Sequence, residues 1–302
     1  MSKSAVAVVG SANLDMVFGT PRLPVAGETI LGGTFAMHPG GKGANQACAI
    51  GRLGGDVKFV GCVGRDANGD ALVGCLNQCG VDTAHVVVLD SVPSGVAAVV
   101  VSEEGANQIV VAPGANSCVT PSQVTTALAA IAPAVVLCQL EVPLDAVAAC
   151  ANHGSFVLNP APACDIAAST LSSVKVLTPN ETEAEILTGI KVTDILSASK
   201  ASLILLEKGV EHVIVTLGAN GCYWQSAAGG QHFAARSVRA VDTTAAGDAF
   251  SGSLSFFLAS GRNIANSVEL AGCVAALSTT KHGAMESMPT MAELTQFAGT
   301  LV

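Results

Sequence analysis

Apolar residues run unbroken over 5–9 (AVAVV), and short, largely apolar runs recur at 57–60, 86–89, 134–139, 156–159, 174–177 and 212–216. Runs this short, rich in valine, predict strands buried on both faces. Between them the apolar spacing lengthens to a helical period. It predicts helices over 43–53, 69–78, 121–131, 144–152, 181–187, 197–208, 246–259, 264–280 and 291–298, with a hairpin-like pair around 223–233. Strand and helix alternate in the rhythm of a helix-covered parallel sheet. Two stretches break it. Residues 13–18, 28–31 and 35–38 alternate apolar with polar around Pro21, Pro24 and Gly27, and 94–101 and 108–111 do the same, predicting short antiparallel strands. The expected fold is α/β: one domain over 1–302 with a doubly wound, mainly parallel sheet flanked by helices, and a small β-sheet lid from about 13–38 and 94–111. Ligands of such a fold bind beyond the carboxyl ends of the parallel strands, so chemistry should cluster just after strands.

Composition narrows the partners. Half the residues are hydrophobic and only 4% aromatic, as suits buried strands under helices, and 14 Lys and Arg against 23 Asp and Glu give a net charge of −9. That balance speaks against nucleic acid as a partner. No run approaches the ~18 apolar residues of a membrane span, and the run at 5–9 is too short for a signal peptide, so a cytoplasmic protein is expected. Ten cysteines without a CxxC predict reduced, buried thiols, and six histidines show no zinc-site spacing.

Six glycine-bearing or acidic stretches stand near the ends of predicted strands or the starts of predicted helices. The first, HPGGKGANQA at 38–47, fails the dinucleotide fingerprint because Gln46 stands where its third glycine belongs, and it fails the Walker A pattern because Gly43 follows Lys42. What remains is a glycine turn entering a helix: either a bend needing positive φ, or a place where backbone N–H groups and Asn45 face a polar ligand. The second, VDTTAAGDAF at 241–250, sets Ala245, Ala246 and Gly247 at a helix start with almost no side chain to obstruct their N–H groups, a ready anion site. Asp248 in that first turn either caps the helix or serves as a general base. Asn13 and Asp15 in GSANLD lie on one side of an extended segment and could hold vicinal sugar hydroxyls or merely make a turn; Glu141 follows its strand in the same way. In TPNETEAE, Asn180 and Glu183 fit a capping box and equally a Mg²⁺ and phosphate site reached through water, while the loop TLGANG at 216–221 suits a position under a nucleotide. No G-x-S-x-G elbow supports a serine hydrolase.

Taken in order, GSANLD, PGGKGANQA, NPAPA, TPNETEAEILTG, VTLGANG and VDTTAAGDAF resemble the ribokinase family of carbohydrate kinases over nearly the whole chain. The resemblance implies ATP-dependent phosphorylation of ribose at its 5-hydroxyl. Asp248 would be the base and the Ala245, Ala246 and Gly247 amides the anion hole. Asn13, Asp15, Gly41, Lys42, Gly43, Asn45 and Glu141 would grip the sugar; Asn180, Thr216, Gly218, Gly221 and Gly247 would contact ATP, with Glu183 acting on Mg²⁺ through water. It also implies activation by K⁺ held by Asp242, Thr244, Ser278, Lys281, Gly283 and Ser287, mostly through carbonyls, and a homodimer formed through the lid. Gly272 departs from relatives that place a polar side chain near the adenine. Fructose, 2-keto-3-deoxygluconate, deoxyribose or a nucleoside such as adenosine as substrate, or a silent sugar-binding protein on the same fold, are the alternatives.

Overall fold

The computed structural model describes residues 4–301. The chain opens with β1 (Val6–Val9), β2 (Asn13–Thr20), β3 (Thr34–Gly40), α1 (Lys42–Arg52), β4 (Val57–Gly64), α2 (Ala67–Gln78) and β5 (Asp82–Leu89). It continues through β6 (Gly95–Ser102), β7 (Asn107–Ala112), α3 (Pro121–Ile131), β8 (Val135–Cys138), α4 (Leu144–Ala148), β9 (Ser155–Leu158), α5 (Ala168–Leu171) and β10 (Val176–Leu177). The remainder is α6 (Glu181–Thr188), α7 (Ile195–Glu207), β11 (His212–Thr216), β12 (Cys222–Ser226), β13 (Gly229–Phe233), α8 (Ala246–Ala259), α9 (Ile264–Ser278) and α10 (Met291–Ala298).

Nine strands form the main sheet in the order β13-β12-β11-β10-β9-β8-β1-β4-β5, parallel except for the hairpin at the β13 edge. Alternation along a strand explains why it needs helices on both sides. Val6 and Val8 of β1 belong to the core under α1, α8 and α9, whereas Ala7 and Val9 join the opposite core under α3, α4 and α7. A separate four-stranded sheet, β3-β2-β6-β7, is built from the two segments expected to form a lid.

Four expectations are corrected. The lid is mixed rather than antiparallel, because β2 and β6 pair in parallel from Asn13↔Gly95 to Thr20↔Ser102. No strand forms at 28–31: Glu28 closes a turn instead, accepting from the Val25 N–H (3.1 Å) and pairing with Arg22, and Gly27 and Gly32 on either side have φ of 81° and 88°. The helix expected over 144–152 ends at Ala148, and the chain then turns through Asn152 (φ 68°) into β9. Finally, Cys48 and Cys79, with Cα atoms 5.2 Å apart, are joined in a disulfide where reduced thiols were expected.

Candidate active site

The glycines of residues 38–47 meet the chain's own backbone. Gly41 has φ 89°, and a Cβ on it would lie 2.7 Å from the Asn13 nitrogen; on Gly43 it would lie 2.6 Å from that of Ser11. Only glycine lets the start of α1 cross the β1–β2 turn this closely. The crossing is then stitched: the Ala44 N–H donates to the Ser11 carbonyl (2.9 Å), and Glu141 Oε2 accepts from both the Ser11 hydroxyl (2.5 Å) and the Lys42 N–H (3.2 Å). Asn116, unremarked in the sequence, exchanges hydrogen bonds with the Ala12 backbone and donates to Asn13 Oδ1 (2.7 Å), fixing the Asn13 side chain.

One turn further along α1 lies Asp248. Ala245 enters α8 in a left-handed conformation (φ 57°), and no side chain caps the helix. Asp248 therefore does not serve as a cap. It is buried, Oδ2 accepts from Asn45 Nδ2 (3.0 Å) and Oδ1 from Gln46 Nε2 (2.9 Å). Close approach of the two helices permits this: a Cβ on Gly252, one turn beyond Asp248, would lie 2.5 Å from the Gln46 carbonyl oxygen. Because Glu141 binds α1 at Lys42 and Asp248 binds it at Asn45 and Gln46, the two carboxylates sit about one helical turn, ~5 Å, apart along that axis. Asn45 Oδ1 is buried without a protein partner, an acceptor left for a ligand hydroxyl.

Four carboxylates surround one cation. Burial, opposed by Lys42 and the two amides, pushes the Asp248 carboxyl up. Burial also raises Glu183, with Asp248 adding to the effect, and lifts Asp15 to about 6 with the help of Glu141. Burial pulls the Lys42 ammonium down, but Asp248, Glu141, Glu183 and Asp15 together outweigh it and leave it above its ordinary value.

Two hollows lie near this cluster, one reaching Gly247 beside Asp248 and the other reaching Glu141. The larger, about 1050 Å³, is lined by Asn180, Thr216, Gly218, Gly221, Ala246, Gly247 and Gly272. Thr216 and Asn180 meet there as an isolated parallel bridge, with the Thr216 N–H donating to the Pro179 carbonyl (2.9 Å). Gly247 and Asp248 N–H groups, at the open end of α8, make no hydrogen bond to the protein. The smaller hollow, about 400 Å³, lies against the lid and is lined by Asn13, Val111, Asn116, Leu140 and Glu141 among others. Asn180 and Glu183 form the capping box read from the sequence: the Asn180 N–H donates to Glu183 Oε2 (2.9 Å) and the Glu183 N–H to Asn180 Oδ1 (2.8 Å). Glu183 Oε1 makes no hydrogen bond, so the box leaves one carboxylate oxygen unengaged.

Five of the six residues marked for K⁺ are tied together at one loop crossing. Asp242 accepts from the Thr244 N–H (2.9 Å) and the Gly283 N–H (3.0 Å), and its own N–H donates to the Thr279 carbonyl beside Ser278 (3.1 Å). The Lys281 N–H donates to the Ser278 carbonyl, while its ammonium turns away to Glu293. Ser287 is buried and its hydroxyl bonds the Ala284 carbonyl (2.8 Å), apart from the others.

A model of the pfkB family of carbohydrate kinases matches residues 3–291. A ribokinase of Haemophilus influenzae is 39% identical over 301 residues, 98% of each chain. Among solved structures, the ribokinase of Thermotoga maritima superposes with a TM-score of 0.90 at 34% identity, covering 98% of this chain and 99% of its own. That of Arabidopsis thaliana, complexed with ribose and ATP, does so at 0.89 and 29% identity over 99% of each. A family match over nearly the entire length and the shared fold agree: the chain belongs to the pfkB family of carbohydrate kinases.

Proposed function

We propose that this enzyme transfers the γ-phosphoryl group of ATP to the 5-hydroxyl of D-ribose. One observation carries the assignment: Asp248, in the first turn of α8, leaves its helix uncapped and is held by Asn45 and Gln46 next to Gly247, whose unbonded N–H lies in the wall of the larger cleft. Ribose, the sugar in the Arabidopsis complex, occupies the lid side, where Asn13, Asp15, Glu141 and Asn45 present acceptors to its hydroxyls and the Lys42 region closes the wall. ATP fills the larger cleft along Asn180, Thr216, Gly218 and Gly221.

Asp248 takes the proton of the 5-hydroxyl as that oxygen bonds to the γ-phosphorus. The bond to the β,γ-bridging oxygen breaks, and ADP leaves with its electron pair. Charge on the transferring group is met by the Ala245, Ala246 and Gly247 amides at the tip of α8 and by the Lys42 ammonium. Mg²⁺ accompanying ATP would neutralise the phosphates, and Glu183 would hold one of its waters through Oε1. The Asp242, Thr244, Ser278, Lys281, Gly283 and Ser287 segment, cross-braced by the Asp242 carboxylate, suits a K⁺ whose charge supports the same anion hole. Outward on the lid, Phe35, Met37, Ile109 and Val110 are each more than half exposed, which supports pairing with a second copy through the lid. The enzyme works in the cytoplasm, beside its ATP supply.

ADP release with Mg²⁺-ATP against a panel of sugars and nucleosides, in K⁺ and in Na⁺, tests the assignment. Ribose-dependent release, falling about 10² or more in Asp248→Asn, is expected. Near-wild-type turnover in that variant sinks the mechanism; a strong preference for another sugar sinks the substrate.

A further inference from the structure

Behind Asp248 runs a line of amides of which the proposed mechanism uses only the first, Gln46. Gln46 is fully buried, and its amide makes three hydrogen bonds: Nε2 donates to Asp248 Oδ1 (2.9 Å) and Asn159 Oδ1 (3.0 Å), while Oε1 accepts from Gln139 Nε2 (2.5 Å). Asn159 Nδ2 in turn donates to the Thr178 carbonyl (2.9 Å). Gln139 and Asn159 stand at the carboxyl ends of the neighbouring strands β8 and β9 and are themselves buried.

The polarity of this chain is set from one end. An ionised carboxylate can only accept, so Gln46 must turn Nε2 toward Asp248. Its Oε1 then faces the other way and needs a donor. Gln139 supplies it, and Asn159 Oδ1 takes the remaining Nε2 proton. Rotating the Gln46 amide by a half-turn would set its oxygen against two acceptors and its nitrogen against a donor; Asn159, anchored on the Thr178 carbonyl, opposes that turn, and Gln139, whose Oε1 has no partner, adds to that opposition through Nε2.

We propose that Gln46 is a positioning residue for the catalytic carboxylate, holding Asp248 ionised and aimed at the sugar hydroxyl, and that Gln139 and Asn159 act on the reaction by fixing the direction of the Gln46 amide. The inference rests on Asp248 being the base. Other charged groups face Asp248 too, namely Lys42 on α1, Glu141 after β8, Glu183 on α6 and Asp15 on β2. None of these is touched by Gln139 or Asn159, which makes the amide line separable from the general electrostatics of the cleft.

The test is the pH dependence of kcat at saturating ribose and Mg²⁺-ATP for Gln46→Met and Gln139→Met, both neutral and close in volume to glutamine. Losing a hydrogen bond to a charged acceptor should move the acid limb of Gln46→Met upward by about one pH unit. Its plateau kcat should fall about tenfold, while KM for ribose changes by less than about threefold. Gln139→Met, which touches neither substrate nor Asp248, should move the limb the same way by roughly half as much, because Gln46 is then free to turn. An acid limb that coincides with wild type in either folded variant overturns the proposal, however far its melting temperature drops. If neither variant folds, the wild-type enzyme decides by ¹⁵N NMR of side-chain amides: the Gln46 NH₂ pair should titrate with the midpoint of the acid limb, and a flat trace through that midpoint refutes the proposal. Active Asp248→Asn would remove the base assignment itself, whereas inactive Asp248→Asn with an unshifted Gln46→Met limb removes this inference alone.

Discussion

Replacing Gly247 by alanine should stabilise the protein and disable it. Gly247 is the second residue of α8, its φ is not positive, and a Cβ built on it meets no heavy atom within 4 Å. Alanine in place of a helical glycine that is neither strained nor crowded gains about 0.5–1 kcal/mol, which in a chain of this size raises Tm by about 1–2 °C. The open space that receives the methyl is the larger cleft, whose wall Gly247 forms together with Ala246. There the methyl stands over the N–H meant for the transferring phosphoryl group. Alanine keeps the N–H, so the effect is steric: a methyl that holds the phosphoryl oxygen off this donor should cost about what a lost donor does, about 10² in kcat or some 2.7 kcal/mol of transition-state stabilisation. Turnover from coupled ADP release and Tm from differential scanning fluorimetry read the two effects separately. A variant keeping kcat within about threefold of wild type would show that no phosphoryl oxygen uses this amide, and the anion hole would have to be sought elsewhere.

Gly252→Ala should behave oppositely, because its Cβ would lie 2.5 Å from the Gln46 carbonyl oxygen and 3.0 Å from Ala49 Cβ. Overpacking the α1–α8 contact should cost about 1–3 kcal/mol in urea unfolding and also lower kcat, since Asp248 and Asn45 are carried apart. For Asp15, whose carboxyl is lifted to about 6 by burial and then by Glu141, the ionised form is the acceptor for sugar hydroxyls. KM for ribose should therefore rise as pH falls through about 6, and Asp15→Asn should remove that limb from kcat/KM while leaving the one in kcat. Its sign in stability is the reverse: the folded carboxyl holds its proton up to a higher pH than the unfolded one, so stability from this group is full below 3.8 and lost as pH rises through about 6. Asp15→Asn should accordingly unfold at higher urea than wild type at neutral pH. Cys48 and Cys79 close a loop of 31 residues, and reducing that bond should lower stability by up to about 4 kcal/mol, visible as an earlier urea midpoint with dithiothreitol.

Local signals in the chain carried much of this architecture. Helices α3, α8 and α10 begin and end where the apolar period does, and for α3 and α10 a threonine cap, Thr120 or Thr290, marks the start. What period cannot carry is the partner of a strand. The parallel pairing of Asn13 with Gly95 joins segments far apart in sequence, and alternation reads the same for either direction. The same limit applies to Cys48 and Cys79, which meet only because α1 packs beside α2. At the site, small residues at a helix start and an acidic residue beside them were readable as an anion site, but the choice between cap and base for Asp248 was not, because it turns on the position of Asn45 and Gln46 some two hundred residues earlier. Gln46 stood out in the sequence only as a residue where a glycine was missing. A polar residue closing an apolar strand, as Gln139 and Asn159 do, was the available hint, and its meaning needed the four side chains side by side. Gly41 and Gly43, for their part, are required by the crossing with residues 10–13.

The central claim is that Asp248 deprotonates the terminal hydroxyl of ribose for attack on ATP. It is tested most directly by incubating wild-type enzyme and Asp248→Asn with ribose and Mg²⁺-ATP and locating the new phosphate ester by ³¹P–¹H correlation NMR. The account predicts phosphate on O5 with the wild-type enzyme and a product rate lower by about 10² or more with the variant. Phosphate on any other oxygen, or equal rates from the two proteins, would contradict it.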